Sequence, residues 1–522
     1  MAIHRPPLEQ AEIGTTAVDA PPPKIDQWTL DKGFFGHPRG LRTLFFTEMW
    51  ERFSYYGIRP LLVLFMTAAL TSGGFGMERN VASAIVGVYA ASVYLASLPG
   101  GWIADRWLGL RRAVFWGGVF ISLGHLSIAF SIVFRRSAFF LGLILIVVGT
   151  GLLKPNVSAI VGDLYPEGGA RRDAGFSVFY MGINLGALIA PLVTGFLGER
   201  VAWHLGFGAA GIAMVIGLIQ YRLSAPKTLG PLGVAPSGTP AEQQRVRNYA
   251  LAGAAVVALV VILSMSGVIH IDPVSLAQNM SAIIIGMSVL YFGYLFLFAG
   301  MNGSERKGIA VVLVLFVFSA IFWAAFEQAP TSLNLFARDF TDRRVFGWEM
   351  PTSFLQSVNS LFVIIFAPLF GVMWVALAKR GLQLSSPTKF ALGLLITGLA
   401  FLLLLWASNI VIRGGQGTLV SAWWLTASYL LQTFGELSIS PVGLSSMTQL
   451  APRKFVGQMM GVWFTATALG NLIAGLVGGH VDPSKLAEMP QLFQRTALSL
   501  FVAALILGLL IVPIRKMMAR KS

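Results

Sequence analysis

From about residue 34 onward the chain alternates long apolar runs with short polar segments. Each run holds roughly 20 residues, the length at which a helix crosses about 30 Å of hydrocarbon. Six runs lie near 43–69, 80–106, 112–134, 138–164, 174–198 and 204–224. A polar stretch rich in Pro and Gly, SAPKTLGPLGVAPSGTPAEQQ (224–244), separates them from two more near 248–270 and 278–300. The last six fall near 309–337, 350–378, 389–411, 418–450, 456–480 and 494–517. The pattern predicts an all-α integral membrane protein with twelve core transmembrane helices in two six-helix bundles and two inserted transmembrane helices, fourteen in total. It divides the chain into a mobile cytoplasmic tail (1–33), an N-terminal bundle (34–225), a linker with the inserted pair (226–303), and a C-terminal bundle ending in a short basic tail (304–522).

Composition agrees. Of 522 residues, 55% are hydrophobic and only 12% charged, and the mean hydropathy is +0.72. A water-soluble domain of this size needs far more polar surface. Cysteine is absent, which excludes disulfides and thiolate chemistry. The first 33 residues are polar, carry PPPK at 21–24 and lack an apolar core, so they do not read as a signal peptide.

A net charge of +15 raises the question of nucleic acid, but the basic residues sit in short loops between apolar runs. That placement reads as topology. An even number of spans puts both termini on one side. Twenty-five Lys and Arg fall on that side, including Arg5, Lys24, Arg111, Arg112, Arg453, Lys454, Arg520 and Lys521, against ten on the other. The bias predicts cytoplasmic termini.

The stretch FFTEMWERFSYYGIRPLLVLFMTAAL (45–70) is apolar enough to span, yet carries Glu48, Glu51, Arg52 and Arg59. On insertion scales a charge at the helix centre costs about 2.5–3.5 kcal/mol, so four left in lipid cost roughly 10 kcal/mol. Helical spacing places Glu48, Glu51, Arg52, Tyr55, Tyr56 and Arg59 on one face, away from lipid. Further intramembrane charges are Lys154 in GTGLLKPNVSAI, Glu327 in FWAAFEQAPTSL and Glu436 in LLQTFGELSISPVGLS. One reading is a static ion-pair network that fixes helix packing. The other is a central wet cavity, since intramembrane ionisable residues by default mark substrate or ion pathways. There Arg52 and Lys154 suit a carboxylate, Glu436 suits an ammonium, and the amides of Asn184 and Asn359 orient either end. A small zwitterion fits that polarity.

The loop GGWIADRWLGLRR (100–112) matches the Gly-x-x-x-Asp-Arg-x-x-Gly-x-x-Arg loop of the major facilitator superfamily, with a degenerate echo at 371–390. Spans five and eleven share Gly-x-Leu-Ile-Ala at 186–190 and 470–474. EMWERFSYYG (48–57, preceded by Thr47) resembles the Glu-x-x-Glu-Arg-Phe-x-Tyr-Tyr signature of the proton-dependent oligopeptide transporters, the POT or PTR branch of that superfamily. GGWIADRWLG, LLKPN, FYMGINLG, FWAAFEQ and GELSISPVGLS extend the likeness over nearly the whole chain. The extra helix pair resembles that of prokaryotic members.

The resemblance implies a proton-coupled symporter importing di- and tripeptides by alternating access. It implies a multi-pass protein of the plasma (inner) membrane, functional as a monomer, with no cofactor beyond the proton as coupling ion. Arg52 and Lys154 would receive the peptide carboxylate. Glu436, Asn184 and Asn359 would hold the amino end. Tyr56 and Tyr94 would contact the backbone, Trp323 and Trp463 would line side-chain pockets, and Ser440 would join the substrate contacts. Glu48, Glu51, Arg52, Arg59 and Glu327 would couple protons, with Glu327 paired to Arg59 across the halves. Phe326 stands where some relatives carry a second acid, and no histidine falls in span two, where animal relatives use one.

Plainer readings stand beside these. Trp323, Trp463 and Tyr94 also suit helix packing, Asn184 and Asn359 suit hydrogen bonds between helices, His125 suits a packing role, and Asp105 with Arg106 suits a structural latch. A transporter of another solute, such as nitrate or an amino-acid-like compound, is the nearest alternative, although Glu436 would repel a simple anion. A membrane enzyme is disfavoured, because no phosphate loop, paired-histidine metal motif or nucleophile elbow accompanies the charges. A receptor or scaffold on the same bundle would not need them.

Overall fold

The computed structural model describes residues 27–518 apart from 383, 416, 453 and 454. The short helix α1 (Gln27–Leu30) precedes α2 (Arg39–Thr67), α3 (Arg79–Ile103), α4 (Leu110–Ala129), α5 (Ser131–Asp163), α6 (Gly169–Phe196) and α7 (Trp203–Thr228). Next come α8 (Pro240–Met265) and α9 (Pro273–Leu297). The chain continues with α10 (Gly303–Phe326), the short α11 (Asn334–Asp339), α12 (Ser357–Lys379), α13 (Ser386–Gly414), α14 (Trp423–Leu450), α15 (Val456–Val477) and α16 (Glu488–Met518). Among the described residues, 12 helical stretches are long and apolar enough to cross a membrane, α8 and α9 included. The protein is a multi-pass helical membrane protein. Two more helices of similar length, α2 and α14, bear the charges singled out from the sequence.

Helix starts follow local chemistry. Thr239 and Glu242 form a reciprocal capping box at α8, with Pro240 in the first turn, and Asn302 with Glu305 does the same at α10. These side chains satisfy N–H groups that the first turn leaves without helical partners.

Within the first six long helices α2 packs on α6 and α7, and α4 on α5 and α7; within the last six, α10 packs on α15 and α16, and α13 on α14 and α16. Two interfaces join the sets, α3 with α15 and α6 with α12. Exchanging second with eighth and fifth with eleventh converts one interface into the other, as a duplicated arrangement requires. The shared Gly-x-Leu-Ile-Ala segments occupy matching places. Gly186 of α6 lies against Met49, Arg52 and Phe53 of α2, and Gly470 of α15 lies against Trp323 and Ala324 of α10.

At the face away from the chain termini the halves are locked. A Cβ on Gly87 would stand 2.7 Å from the Asn471 carbonyl and 2.8 Å from Gly475 Cα, so α3 and α15 approach backbone to backbone. Around that crossing Arg79 pairs with Asp339 at 2.5 Å and donates to the Val481 carbonyl at 2.8 Å. Asn334 donates to the Pro60 carbonyl at 2.8 Å. At the other interface the Glu199 carboxylate accepts from the backbone N–H groups of Thr352 and Ser353 at 2.7 and 2.8 Å.

One expectation changes. The tail was placed at 1–33; residues 1–26 lie outside the described residues, as do Arg453, Lys454 and the basic residues at 519–522. Residues 27–33, however, are fixed. Arg171 donates to the carbonyls of Thr29 and Asp31. The Pro/Gly-rich stretch is likewise pinned. Arg111 donates to the Gly230 carbonyl at 2.6 Å, Ser237 donates to the Asp105 carbonyl at 2.7 and 2.9 Å, and Arg106 meets Glu242 at 3.5 Å. The 100–112 loop is therefore a latch onto the linker, held by the Asp105 backbone rather than its carboxylate.

Gly475→Val should force α3 and α15 apart, at about 1–3 kcal/mol for overpacking. Because the chain lacks cysteine, spin labels at Glu78→Cys and Ser484→Cys report that crossing without background. Their distance distribution should lengthen and broaden in the variant; an unchanged distribution would contradict the close approach.

Candidate functional site

The centre of the site is one face of α2. Arg52 Nη2 donates to Glu51 Oε1 at 2.6 Å, its Nε bonds Glu51 Oε2, and its Nε lies 3.4 Å from Glu48 Oε1. All three residues are 1–2% exposed. Lys154 of α5 approaches from the opposite side, 4.5 Å from the centre of the Tyr94 ring of α3. Two carboxylates and two cations make a cluster of no formal charge, which lowers the cost of holding them at membrane depth. One carboxylate oxygen, Glu48 Oε2, is buried without a hydrogen-bond partner.

A second pair lies two turns along α2. Arg59 Nη2 is bonded to Glu327 and reaches Asn471 Oδ1 at 3.4 Å, so three helices of both halves meet there. Glu327 stands where α10 ends. The backbone then widens into a π-helical turn at Ala329–Leu333 before α11, so the seventh apolar run is a broken helix. Tyr55 links the two pairs: the Arg52 and Arg59 guanidinium carbons lie 4.9 and 5.8 Å from its ring centre.

The second half supplies the opposite wall. Asn359 of α12 donates to Thr433 Oγ1 at 2.9 Å and to Glu436 Oε2 at 3.4 Å, both on α14. Ser440 stands one turn beyond Glu436 and is partly exposed. Trp323 and Trp463 meet edge to face, ring centres 6.5 Å apart, and the Trp323 Nε1 is buried without a partner. Tyr56 joins the walls. Arg52 lies 5.8 Å from its ring centre, and Arg59, Tyr94 and Glu436 are within electrostatic range of its hydroxyl. Tyr56, Tyr94, Lys154, Asn359 and Glu436 are only partly buried. Tyr180, within range of Glu436 and Tyr56, is 41% exposed.

The structure thus links Arg52, Tyr94 and Glu436 electrostatically around Tyr56, with Lys154 beside Tyr94 and Asn359 bonded to Glu436. Asn184 differs. It is 7% exposed, and its amide donates to the Tyr180 carbonyl of its own helix at 3.0 Å, which leaves it turned along α6. His125 packs between helices, its Nε2 2.5 Å from Ser54 Oγ, with Nδ1 unpartnered. Sequence reasoning passed over Thr433, Tyr180 and Asn471. Asn471 falls inside the shared Gly-x-Leu-Ile-Ala segment, Tyr180 inside FYMGINLG and Thr433 inside LLQTFGELSISPVGLS, so each lay in a motif already singled out. Among the described residues no group of three or more His, Asp or Glu could hold a metal ion.

This architecture, with buried charges from both halves meeting where two helical sets pack together, is that of a membrane transporter. A family model described as "POT family" matches residues 111–492, and the chain belongs to that family. It is 50% identical over 491 residues to the peptide transporter YePEPT of Yersinia enterocolitica subsp. palearctica serotype O:3, covering 93% of this chain and 96% of that protein. It is 38% identical to the di-/tripeptide transporter of Lactococcus lactis subsp. lactis over 94% of this chain and 98% of the other. Among solved structures, a peptide transporter POT in complex with sulfate superposes with a TM-score of 0.85 at 42% identity, over 93% of this chain and 97% of that one.

Removing one partner of a buried ion pair strands the other, typically at about 3–5 kcal/mol. Arg59→Met and Glu327→Met should therefore each lower the thermal unfolding midpoint, and the double variant should lose less than their sum. Strictly additive losses would show that the pair carries no coupling.

Proposed function

We propose that the chain is a proton-coupled symporter that imports di- and tripeptides by alternating access. The supporting observation is the set of opposite charges around Tyr56, with Arg52 and Lys154 from the first half and Glu436 from the second. A short peptide carries a carboxylate and an ammonium, and each end finds a partner of opposite charge. Tyr56 and Tyr94 lie between those ends and contact the backbone, Trp323 and Trp463 border a side-chain pocket, and Ser440 and Asn359 flank Glu436. In this reading the protein sits in the inner membrane with cytoplasmic termini, works as a monomer and needs no cofactor besides the proton.

Arg52 is held by Glu48 and Glu51, the groups a peptide carboxylate must displace. Protonating these acids removes their hold on Arg52 and frees the guanidinium for the peptide. Protonating Glu327 removes the charge opposite Arg59 and releases a contact that locks the far face. Proton and peptide therefore draw on one set of pairs. A conformational change can be driven only by as much as its ligands discriminate between the two states, and proton binding supplies that discrimination.

Reconstitution with an imposed pH gradient tests the assignment. Di- and tripeptides should accumulate, whereas nitrate and free amino acids should not; accumulation of nitrate alone would refute it. Glu51→Gln should abolish uphill uptake while peptide exchange across the membrane persists. Intact proton-driven uptake in that variant would refute the coupling role.

A further inference from the structure

A crevice of about 550 Å³ lies between α4 and α7, away from the buried charges of the candidate site. Gly118 of α4 faces Leu218 of α7, and Gly211 of α7 faces His125 of α4, so the two helices run antiparallel in a fixed register. In that register Arg222 of α7 stands level with Val114, about 3 Å along the axis from Arg112 of α4. The Arg222 guanidinium carbon lies 5.9 Å from the centre of the Phe115 ring, one turn on from Arg112. Arg112 and Arg222 therefore reach one space, which Phe115, Trp116 and Pro226 also border. The linker closes its outer end. Val234 lines the crevice there, and Arg111 donates from its side chain to the Gly230 carbonyl at 2.6 Å and from its backbone to the Gly233 carbonyl at 2.9 Å.

The charge of this crevice is uncompensated. No acid lines it, and the first turn of α4 carries none. Among the described residues neither Arg112 nor Arg222 has an ion pair or a side-chain hydrogen bond, and Glu242 at the start of α8 is taken by Arg106. Its depth follows from the helices that build it. Gly40 at the start of α2 faces Thr228 at the end of α7, which puts this end at the face of the termini. Arg112 is the third residue of α4, and Arg222 stands six residues, about 9 Å, inside the end of α7. The side of α7 that bears Arg222 continues inward as Ile219, Ile216 and Ile212, all exposed, and α4 alongside exposes Trp116 and Leu123. Exposed apolar side chains on a membrane span face lipid. The two arginines stand where that stripe ends, at the border of hydrocarbon and headgroups.

We propose that this crevice binds the phosphate of an anionic phospholipid from the leaflet at the face of the termini. Arg112 and Arg222 flank the phosphate with charge-assisted hydrogen bonds, and an acyl chain follows the stripe of Ile219, Ile216 and Ile212. Basic pockets between transmembrane helices are suited to such headgroups. With no carboxylate in the lining, the ammonium of a zwitterionic head meets only like charge, so a net anion is preferred. A free phosphate makes the same bonds but leaves the apolar stripe uncovered. Because Arg111 ties the crevice to the linker, bound lipid braces the joint between the first bundle and the inserted helices.

The test equilibrates the full chain in detergent with equal amounts of acyl-matched phosphatidylglycerol and phosphatidylcholine, repurifies it, and measures the retained lipid by mass spectrometry. Phosphatidylglycerol should be retained about fivefold more, and a wash in excess inorganic phosphate should leave it in place. The double variant Arg112→Gln/Arg222→Gln should bring the two lipids to parity, while its melting temperature in lipid-free detergent stays unchanged. Arg380→Gln, which removes an exposed charge from the end of α12, should keep the preference. Equal retention by the wild-type chain, a preference that survives the double substitution, or one that Arg380→Gln erases as fully would overturn the proposal. Release by inorganic phosphate would assign the crevice to a free anion and overturn it too.

Discussion

A charge in the middle of a membrane must be paired or wet, and α2 carries four. Insertion scales put the unpaired cost near 2.5–3.5 kcal/mol each, comparable to much of a protein's net stability. The chain meets this constraint locally: Glu48 and Glu51 hold Arg52, with Lys154 nearby, and Glu327 reaches from the other half to Arg59. Every such pair is a replaceable interaction. A proton or a ligand carboxylate can take the place of one member, and the partner left behind then favours a different arrangement.

Arg52 and Arg59 stand seven residues apart, two helical turns or about 10 Å, with the Tyr55 ring between them. One rigid helix thus carries both the group suited to a carboxylate and a group that ties the halves together. Around Arg59 the closure is made of backbone contacts that need small residues, such as the crossing of Gly87 with Gly475. In the proposed mechanism, electrostatics there decide when the face opens. Packing decides how tightly it shuts.

Much of this could be read from the chain, for identifiable reasons. The spans follow from run length, and the shared face of Glu48, Arg52 and Arg59 follows from helical period, because both signals are local. Pairing across the halves was less visible. Arg59 and Glu327 are 268 residues apart, and only family resemblance joined them. The residues that lock the far face, Gly87, Asn334, Glu199 and Gly475, look ordinary in sequence, since their role lies in contacts between distant segments. Asn184, an amide in a polar motif, donates one N–H to the backbone carbonyl four residues back and bonds the Tyr180 side chain, which lies near Glu436 and Tyr56. The attachments of the Pro- and Gly-rich linker carry no sequence signal: Arg111 donates to the linker carbonyl of Gly230, and the linker's Ser237 donates to the Asp105 carbonyl.

The most direct measurement is a ligand–protein cycle by titration calorimetry: a dipeptide and its N-acetyl analogue, each bound to the wild-type chain and to Glu436→Gln. If the walls grip opposite ends, acetylation weakens wild-type binding far more than variant binding, with a coupling of about 1.5–3 kcal/mol, as for a hydrogen bond to a charged group. Equal penalties in both proteins would mean that Glu436 does not hold the amino end, and that the two-ended chamber is not how this transporter selects its cargo.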